Sequence, residues 1–438
     1  MAKEAKTKLT TAEEWVERGE KALKNEDFQE AINCFSEAVQ ANPRSSFAYF
    51  KRGNAYLGIN KYVDALADFN NSIVLNPDFS FSHFKRGLCY LEMKQFFRAV
   101  EDFDSAINLN QDFSIAFYKR GYAKYMLKHY NDAIEDLEKS LEMNPGYAKA
   151  ILYKANSYFE MKKYTEAIED YGHVLRIDPS NEKAFLSRGI ANSNLKNYHE
   201  AIIDYTRAIE INPESKLAYT YRSMIYANQK MYEKALRDLD KLIGMDPQSA
   251  DAYAKRAIAN FALKAYEKAV DDYTRAIDLN PELSTLYYNR GNANFNLKRY
   301  DNAIMDFDRA LDKDPRLFAA HYGRGNANAA LGEFRDALKD FTRAINVNPK
   351  YINAYISRGN VFMKMKYYKK ALEDFTLATE INPESANAFL NRGLAFKAEG
   401  RMVDAAEDMK KFLSLKNDQD HTYYQVRSWV TKMGYDPD

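Results

Sequence analysis

Apolar and small side chains recur along this chain at intervals of three, four and seven residues, the spacing of one face of an α-helix. Ala65, Phe69 and Ser72 form one such set. Each helical stretch is about 12 residues long, or roughly 18 Å, and the stretches follow one another in pairs. The intervals between them leave no room for strands. The pattern therefore predicts an all-α chain of paired helices.

Prolines show that this pattern repeats. The chain has 11 prolines, and all but one lie 34 residues apart, as Pro43 and Pro77 do, or twice that distance apart. Gln111 fills the one gap in the series. Proline fixes φ and has no N–H, so it ends one helix and suits the first turn of the next. Counted from Ala12, twelve repeats follow one another to about residue 419.

Small and aromatic residues occupy fixed positions of the repeat, which we number from Ala12 and its equivalents. Position eight is glycine in most repeats, from Gly19 to Gly393, and position twenty is alanine in every repeat, from Ala31 to Ala405. Positions seventeen and twenty-four are mostly aromatic, as in Phe28. Small residues let two helices approach closely, and we expect the aromatic rings to fill the gaps beside them.

With these positions the chain resembles the tetratricopeptide repeat family, whose repeat is 34 residues long. The resemblance covers residues 12–419 and departs from the family pattern at Gln111 and, in the last repeat, at Met409, Phe412 and Asn417. It implies a right-handed α-solenoid superhelix of stacked antiparallel helix pairs, with the first helix of each pair lining a concave groove.

The two ends of the chain lie outside the repeats. Residues 1–11 are rich in lysine and threonine without an apolar pattern, so we expect a disordered tail. Residues 420–433 form an amphipathic segment with Tyr423, Val426 and Val430 on one face, which predicts a helix that caps the array. Residues 434–438 are a short tail. Trp429 fits packing against the last repeat, and recognition of a partner is the alternative.

Composition narrows the class of protein. The 63 basic and 62 acidic residues leave a formal charge of +1, whereas nucleic-acid binders usually carry a basic excess. No apolar run is long enough to span a bilayer, and the charged start lacks a secretory signal. We therefore predict a cytoplasmic protein that binds no nucleic acid and inserts into no membrane.

Candidate chemistry is sparse. Cys34 and Cys89 lie in different repeats at different positions, which argues against a disulfide framework. The histidines never approach metal-ligand spacing, and no nucleophile with its base or phosphate-binding glycine loop is present. We predict no catalytic residue, no metal and no cofactor.

Paired charges form a regular series. Position seven is arginine in every repeat but one, where Lys154 replaces it, and position twenty-three is aspartate in repeats two to twelve. Cys34 takes the place of the aspartate in the first repeat. A series of arginines suggests a ligand, but guanidinium and carboxylate on facing helices can pair bidentately. We interpret the series as a structural ladder of ion pairs.

Positions two, five, six, nine and twelve of the first helices are expected to face the groove. Toward the N-terminus they combine rings with ammonium groups, which favours an acidic ligand; the alternative is that the lysines are simply solvated. The N-terminal candidates are Phe50, Lys51, Asn54, Phe84, Lys85, Leu88, Tyr118, Lys119, Tyr122 and Asn156.

Further along, the predicted lining becomes apolar and then amide-rich. The apolar candidates are Ile190, Met224 and Ile258, and such a stretch favours a covering partner. Asparagine can donate and accept at once, so the amides either hold the backbone of an extended segment or bind water in a wide channel. The amide-rich candidates are Tyr288, Asn289, Asn292, Tyr322, Asn326 and Asn360.

These features predict a noncatalytic scaffold that binds an extended or helical protein segment in its groove. A regulatory or substrate-adaptor subunit of a larger enzyme complex and a self-associating structural scaffold are the alternatives. Some family members clamp the acidic carboxyl terminus of heat-shock chaperones with a basic residue at position five. No lysine or arginine occurs at position five here, which disfavours that activity.

Overall fold

The computed structural model describes residues 11–416 and 418–437, and these are helical apart from short turns and the segments beside α25. The first helices of the twelve pairs are α1 (Ala12–Lys24), α3 (Ser46–Gly58), α5 (Ser80–Glu92), α7 (Ser114–Met126), α9 (Ala148–Glu160), α11 (Glu182–Asn194), α13 (Lys216–Asn228), α15 (Ala250–Ala262), α17 (Ser284–Asn296), α19 (Phe318–Leu331), α21 (Ile352–Lys364) and α23 (Ala386–Ala398).

The second helices begin at the position-seventeen residue of each repeat. They are α2 (Phe28–Ala41), α4 (Tyr62–Leu75), α6 (Phe96–Leu109), α8 (Tyr130–Met143), α10 (Tyr164–Ile177), α12 (Tyr198–Ile211), α14 (Tyr232–Met245), α16 (Tyr266–Leu279), α18 (Tyr300–Lys313), α20 (Phe334–Val347), α22 (Tyr368–Ile381) and α24 (Met402–Leu415). A last helix, α25 (His421–Lys432), follows them. The predicted all-α class and the tandem helix pairs are confirmed.

The turn inside each pair needs a residue with positive φ at position fifteen. Glycine supplies it in two repeats, as at Gly332 with φ of 87°. Lysine supplies it in most others, as at Lys94 with 58° and Lys128 with 64°. An L-residue adopts this conformation at a cost of about 1–2 kcal/mol, so the two packed helices hold these lysines in place.

Helices of a pair approach closely where glycine faces an aromatic ring. A Cβ atom added to Gly291 would lie 2.9 Å from Cε1 of Phe307, and one added to Gly359 would lie 2.6 Å from the same atom of Phe375. Ala303 and Ala371, at position twenty, have no exposed surface. The interpretation of these positions as sites of close helix packing is confirmed.

The chain divides into two compact units, one ending at Arg222 and the other beginning at Ser223, within α13. In the N-terminal unit, Phe84, Phe103 and Phe113 belong to one core cluster. In the C-terminal unit, Phe307 and Leu311 belong to another. Both cores use the same repeat positions, because each helix pair buries its apolar faces against its neighbours.

The ends of the described chain are capped. Thr11 precedes α1, and its Oγ1 accepts a hydrogen bond from the backbone N–H of Glu14 at 3.3 Å. Asp420 caps α25 by accepting from the backbone N–H of Tyr423 at 3.0 Å. Residues 1–10 of the predicted tail, Asn417 and Asp438 lie outside the described residues.

Helix α25 covers the last repeat. It lies inside the predicted segment 420–433, and Val426 and Val430 pack in one cluster with Met409 and Phe412 of α24. Trp429 is partly buried against this cluster, and its ring lies 4.8 Å from Nζ of Lys397. The position of Trp429 therefore fits packing.

Candidate protein-binding surface

The predicted binding residues all lie on first helices of the two units. In the N-terminal unit, three consecutive repeats bring side chains of positions two, six and nine to one side of α3, α5 and α7, since these positions are four and three residues apart. We call these nine side chains the first-helix face: Phe47, Lys51, Asn54, Phe81, Lys85, Leu88, Ile115, Lys119 and Tyr122.

The rings at position five lie beneath this face, although we expected them on it. Phe50, Phe84 and Tyr118 are only 8%, 6% and 5% exposed. Each packs against the ring that precedes the next first helix, so it belongs to the junction between two repeats. The centroid distances are 4.9 Å for Phe50–Phe79, 4.7 Å for Phe84–Phe113 and 4.8 Å for Tyr118–Tyr147.

Apolar surface on the face comes from position two instead. Phe47, Phe81 and Ile115 are 44%, 45% and 42% exposed. The centroid of the Phe81 ring lies 5.7 Å from that of the partly buried Phe79 and 5.1 Å from that of the buried Phe113. The sequence placed position two in the groove but did not distinguish these residues from the buried rings of position five.

Three half-buried lysines stand beside these apolar side chains. Lys51 Nζ lies 2.5 Å from Oε1 of Glu20 and 4.8 Å from the centroid of Phe47. Lys85 and Lys119 form no ion pair within the described residues, and desolvation by burial lowers the pKa of each ammonium. The lysines are therefore not simply solvated.

Position nine is chemically mixed. The side-chain oxygen of Asn54 is buried and has no hydrogen-bond partner. Asn156 is satisfied, since its Oδ1 accepts a 2.7 Å hydrogen bond from the Tyr171 hydroxyl. Leu88 packs against the core cluster of α5 and α6, and Ile190 is partly buried. Asn156 thus holds the Tyr171 hydroxyl within its own repeat, whereas the side-chain oxygen of Asn54 accepts no hydrogen bond.

Three tyrosines of α7 and α9 lie next to one another at the C-terminal end of this face. Tyr122 lies 4.7 Å from Tyr153, and Tyr125 lies 5.5 Å from Tyr153, between centroids. Burial raises the pKa of Tyr125 to about 12 and also raises the pKa of Tyr153. These hydroxyls therefore stay protonated at neutral pH and can donate hydrogen bonds.

In the C-terminal unit the predicted residues divide into rings and amides. The rings of Tyr288 and Tyr322 lean on the core, with centroids 6.1 Å from Phe307 and 5.8 Å from Phe341. The side chains of the predicted amides form no hydrogen bond within the described residues; these are Asn289, Asn292, Asn326 and Asn360.

Apolar side chains at position nine also reach the surface of the C-terminal unit. Met224 is 42% exposed and Ile258 is 49% exposed. Position nine thus carries a free amide in some repeats of this unit and an exposed apolar group in others. Both kinds of group are suited to contact with a peptide.

The predicted ion-pair ladder is present on the other side of the first helices. Arg290 donates from Nη2 to Oδ1 of Asp306 at 2.7 Å, and Asp306 is only 4% exposed. Equivalent pairs are Arg52–Asp68, Arg86–Asp102, Arg120–Asp136, Arg188–Asp204, Arg256–Asp272, Arg324–Asp340, Arg358–Asp374 and Arg392–Asp408.

The ladder also joins neighbouring repeats, which the sequence did not indicate. Arg290 Nη1 donates to Thr274 Oγ1 of the preceding repeat at 3.0 Å, and Arg120 Nη1 reaches Asp104 Oδ1 at 2.6 Å. Each of these arginines therefore hydrogen-bonds both to the second helix of its own repeat and to the second helix of the preceding repeat. Asn294 adds a 2.9 Å bond to Asp306. The polar residue at position twenty-five, Thr274 or Asp104 here, is the sequence feature from which this contact could have been predicted.

Other candidate chemistry is structural. Cys34 and Cys89 are buried free thiols, and burial raises the pKa of Cys89 to about 12. Within residues 11–416 and 418–437, no group of histidine, cysteine or acidic side chains could hold a metal ion. Over the same residues, no helix has the length and apolarity needed to cross a membrane.

Comparison with known families agrees with the repeat geometry. Tetratricopeptide repeat models match residues 16–80, 114–147, 182–215, 218–249, 284–317, 318–351 and 352–385. A model described as TPR repeat matches residues 155–196 and 259–298. The chain belongs to the tetratricopeptide repeat family, whose members are generally noncatalytic protein-interaction scaffolds. No curated protein matches the chain.

Similar solved structures include a shorter one and two of about the same length as this chain. YrrB, a TPR protein described as having an unusual peptide-binding site, is 21% identical and covers 43% of this chain and 97% of its own, with a TM-score of 0.40. Yeast Tom70 is 18% identical over 97% and 95%, with 0.42. The Cut9–Hcn1 hetero-tetramer of the APC/C gives 13% over 96% and 96%, with 0.45.

Proposed function

We propose that the protein is a noncatalytic scaffold that binds an extended or helical segment of a partner protein along its first helices. The observation that carries this proposal is the first-helix face of the N-terminal unit. There, exposed apolar groups such as Phe81 stand beside half-buried ammonium groups such as Lys85 that have no counterion within the described residues.

Both features favour contact with a protein segment. Burying an exposed ring contributes about 25 cal/mol per Å² of apolar area removed from water. An ammonium group that is already partly desolvated loses less hydration on binding, so an anionic partner gains more from it. An apolar and acidic segment meets both requirements, which is why we assign an acidic ligand to this end of the protein.

The C-terminal unit offers a different kind of contact. The free amides of Asn289, Asn292 and Asn326 can donate to backbone carbonyls and accept from backbone N–H groups. Such contacts hold an extended backbone without reading its side chains. We propose that this unit contributes affinity through amide contacts, whereas the N-terminal unit selects for acidic and apolar side chains.

Selection of binders from a random peptide display library tests the proposal. We expect hydrogen exchange of the complex to show protected amides in first helices, and Phe81→Ser to weaken binding. Phe97→Ser is the matched control, because Phe97 is 67% exposed on the second helix of the same repeat. Protection confined to second helices, or equal loss with both variants, would contradict the assignment.

Light scattering and hydrogen exchange of the protein alone test whether it self-associates. If light scattering shows a dimer and the protected amides of that dimer lie on the first helices, the bound partner is a second copy of this chain. If the protein is a monomer with a free first-helix face, a separate partner occupies it. A substrate-adaptor role requires a further enzyme subunit, and nothing on the first-helix face favours it over simple binding.

A further inference from the structure

Glu20 and Lys51 form an ion pair between two neighbouring first helices. Glu20 is at position nine of the first repeat on α1, and Lys51 is at position six of the second repeat on α3. Oε1 of Glu20 lies 2.5 Å from Nζ of Lys51, and the lysine side chain is 23% exposed. The face therefore contains one lysine whose carboxylate is supplied by the chain itself.

Position nine of one repeat and position six of the next also meet elsewhere in the unit. Tyr122 and Tyr153 hold the same two positions, and their ring centroids are 4.7 Å apart. By this relationship the neighbour of Lys85 is Asn54, and the neighbour of Lys119 is Leu88. Neither neighbour carries a charge, so two lysines equivalent to Lys51 lack the carboxylate that Lys51 has.

Two further observations indicate that polar groups at these positions lack a binding partner. Burial lowers the pKa of Lys85 and of Lys119, and at Lys119 the negative charge of Glu92 offsets only part of this effect. The side-chain oxygen of Asn54 is buried without a hydrogen-bond partner, and such an atom ordinarily costs about 1–3 kcal/mol. The carboxylates of a bound acidic peptide would pair with the ammonium groups, and a backbone N–H of that peptide would donate to the Asn54 oxygen.

We propose that Lys85 and Lys119 each receive a carboxylate from an acidic partner segment, in the place that Glu20 occupies beside Lys51. In the Glu20–Lys51 pair, the same kind of site is already occupied by a carboxylate of the chain itself. The part of the surface that binds acidic side chains therefore does not extend to Lys51 in the second repeat. This inference rests on the proposed function and adds the chemistry and the register of the ligand.

The exposed apolar residues argue for a protein segment as the source of the carboxylates. Phe81 and Ile115 are at position two, one turn before Lys85 and Lys119 on the same helices. Acidic side chains that reach the lysines therefore need apolar neighbours that reach position two. A peptide with alternating glutamate and leucine supplies both, whereas a nucleic acid supplies phosphates without aliphatic groups.

The full chain can be tested with a fluorescein-labelled peptide of alternating glutamate and leucine, and with its glutamine counterpart. We expect the glutamate peptide to bind more tightly, and Lys85→Gln with Lys119→Gln to weaken its binding about a hundredfold, since each of the two charge contacts is worth about tenfold in affinity. Lys94→Gln with Lys128→Gln is the matched control, because these exposed turn lysines lie in the same two repeats.

Moving the internal carboxylate gives an independent test. Asn54→Glu places an acid opposite Lys85 and should weaken the glutamate peptide about tenfold, whereas Asn54→Gln should not. Glu20→Gln should do the opposite and strengthen binding, because it frees Lys51. The Glu20 variant changes a side chain that is 44% exposed, so it keeps the test informative if Asn54→Glu does not fold.

The outcomes separate this inference from the proposed function. If both peptides bind equally and Phe81→Ser weakens both, the face binds protein segments but the carboxylate assignment is wrong. If a single-stranded oligonucleotide competes better than the glutamate peptide, the ligand is a nucleic acid and both proposals are wrong. Stronger binding after Asn54→Glu, or weaker binding after Glu20→Gln, also overturns the inference.

Discussion

Lys154 and Asp170 form the one described rung of the ion-pair ladder in which lysine replaces arginine. Nζ of Lys154 lies 3.3 Å from Oδ1 of Asp170, and the second oxygen of Asp170 is buried without a hydrogen-bond partner. In the other described rungs, such as Arg52–Asp68, the arginine donates to both oxygens, each at 2.8 Å. The ammonium group of Lys154 therefore contacts only one of the two oxygens of the buried Asp170 carboxylate.

Lys154→Arg is expected to stabilise the fifth repeat by about 1 kcal/mol, because a second hydrogen bond satisfies Asp170. An array opens in segments, so the quantity to measure is the local free energy of opening, from hydrogen exchange of amides in α9 and α10. Lys149→Arg, on the exposed side of α9, is the control and should change nothing. Lower protection in Lys154→Arg would show that the longer side chain does not fit.

Asp306→Ala is expected to destabilise its repeat by about 3–5 kcal/mol, because it leaves the guanidinium of Arg290 partly buried and unpaired. Asp312→Ala on the same helix is the control. Asp312 lies 3.9 Å from Arg309, with both side chains about 70% exposed, and such a pair is worth about 0–1 kcal/mol. Urea denaturation followed by circular dichroism measures both, and equal effects would mean that the ladder is solvated.

Gly291→Ala is expected to destabilise the ninth repeat. Its Cβ would lie 2.9 Å from the ring of Phe307, which is fully buried, so the helices would have to separate. Overpacking of this kind costs about 1–3 kcal/mol. Gly244→Ala is the control, because nothing lies within 4 Å of an added Cβ there, and alanine should stabilise the helix by about 0.5–1 kcal/mol. Thermal unfolding of the two variants should shift in opposite directions.

The repeat itself could be predicted from sequence because one set of spacings occurs twelve times. Gly291 and Phe307 are sixteen residues apart, as are Arg290 and Asp306, so a single helix hairpin explains both pairs. Contacts within a hairpin depend only on helix geometry, and that geometry is fixed by the spacing.

Contacts between repeats were not predicted, since they depend on how far one hairpin is displaced from the next. The bond from Arg290 to Thr274 and the pair of Glu20 with Lys51 are both of this kind. The same limit explains Phe50: helical spacing assigned it to the groove, but the ring of Phe79, which immediately precedes the first helix of the next repeat, covers it. Helical spacing gives the direction of a side chain, and the neighbouring repeat decides its exposure.

Cys89 is expected to make stability pH-dependent in the alkaline range. Burial raises its pKa to about 12, whereas an unfolded chain has a thiol pKa of about 8.5. The unfolded state therefore loses its proton first, so this contribution to stability is complete below about pH 8.5 and is lost as the pH rises toward 12. Cys89→Ala should remove that part of the pH dependence, because alanine already occupies the equivalent position at Ala55 and Ala123. Urea midpoints measured at several alkaline pH values compare the two proteins, and an identical decline would show that the thiol is accessible.

Removal of α25 is expected to expose the last apolar surface of the array. Val430 has no exposed surface, and it packs in one cluster with Met409, Phe412 and Leu413. Without the helix, these side chains of α24 meet water, so we expect faster hydrogen exchange in α23 and α24 and a concentration-dependent increase in mass by light scattering. Val426→Asp with Val430→Asp should reproduce the effect in the full chain, whereas Tyr424→Asp, at a side chain that is 55% exposed, should not. If truncation instead converts a dimer into a monomer, α25 is an assembly contact rather than a cap, and the self-associating scaffold becomes the better description of the protein.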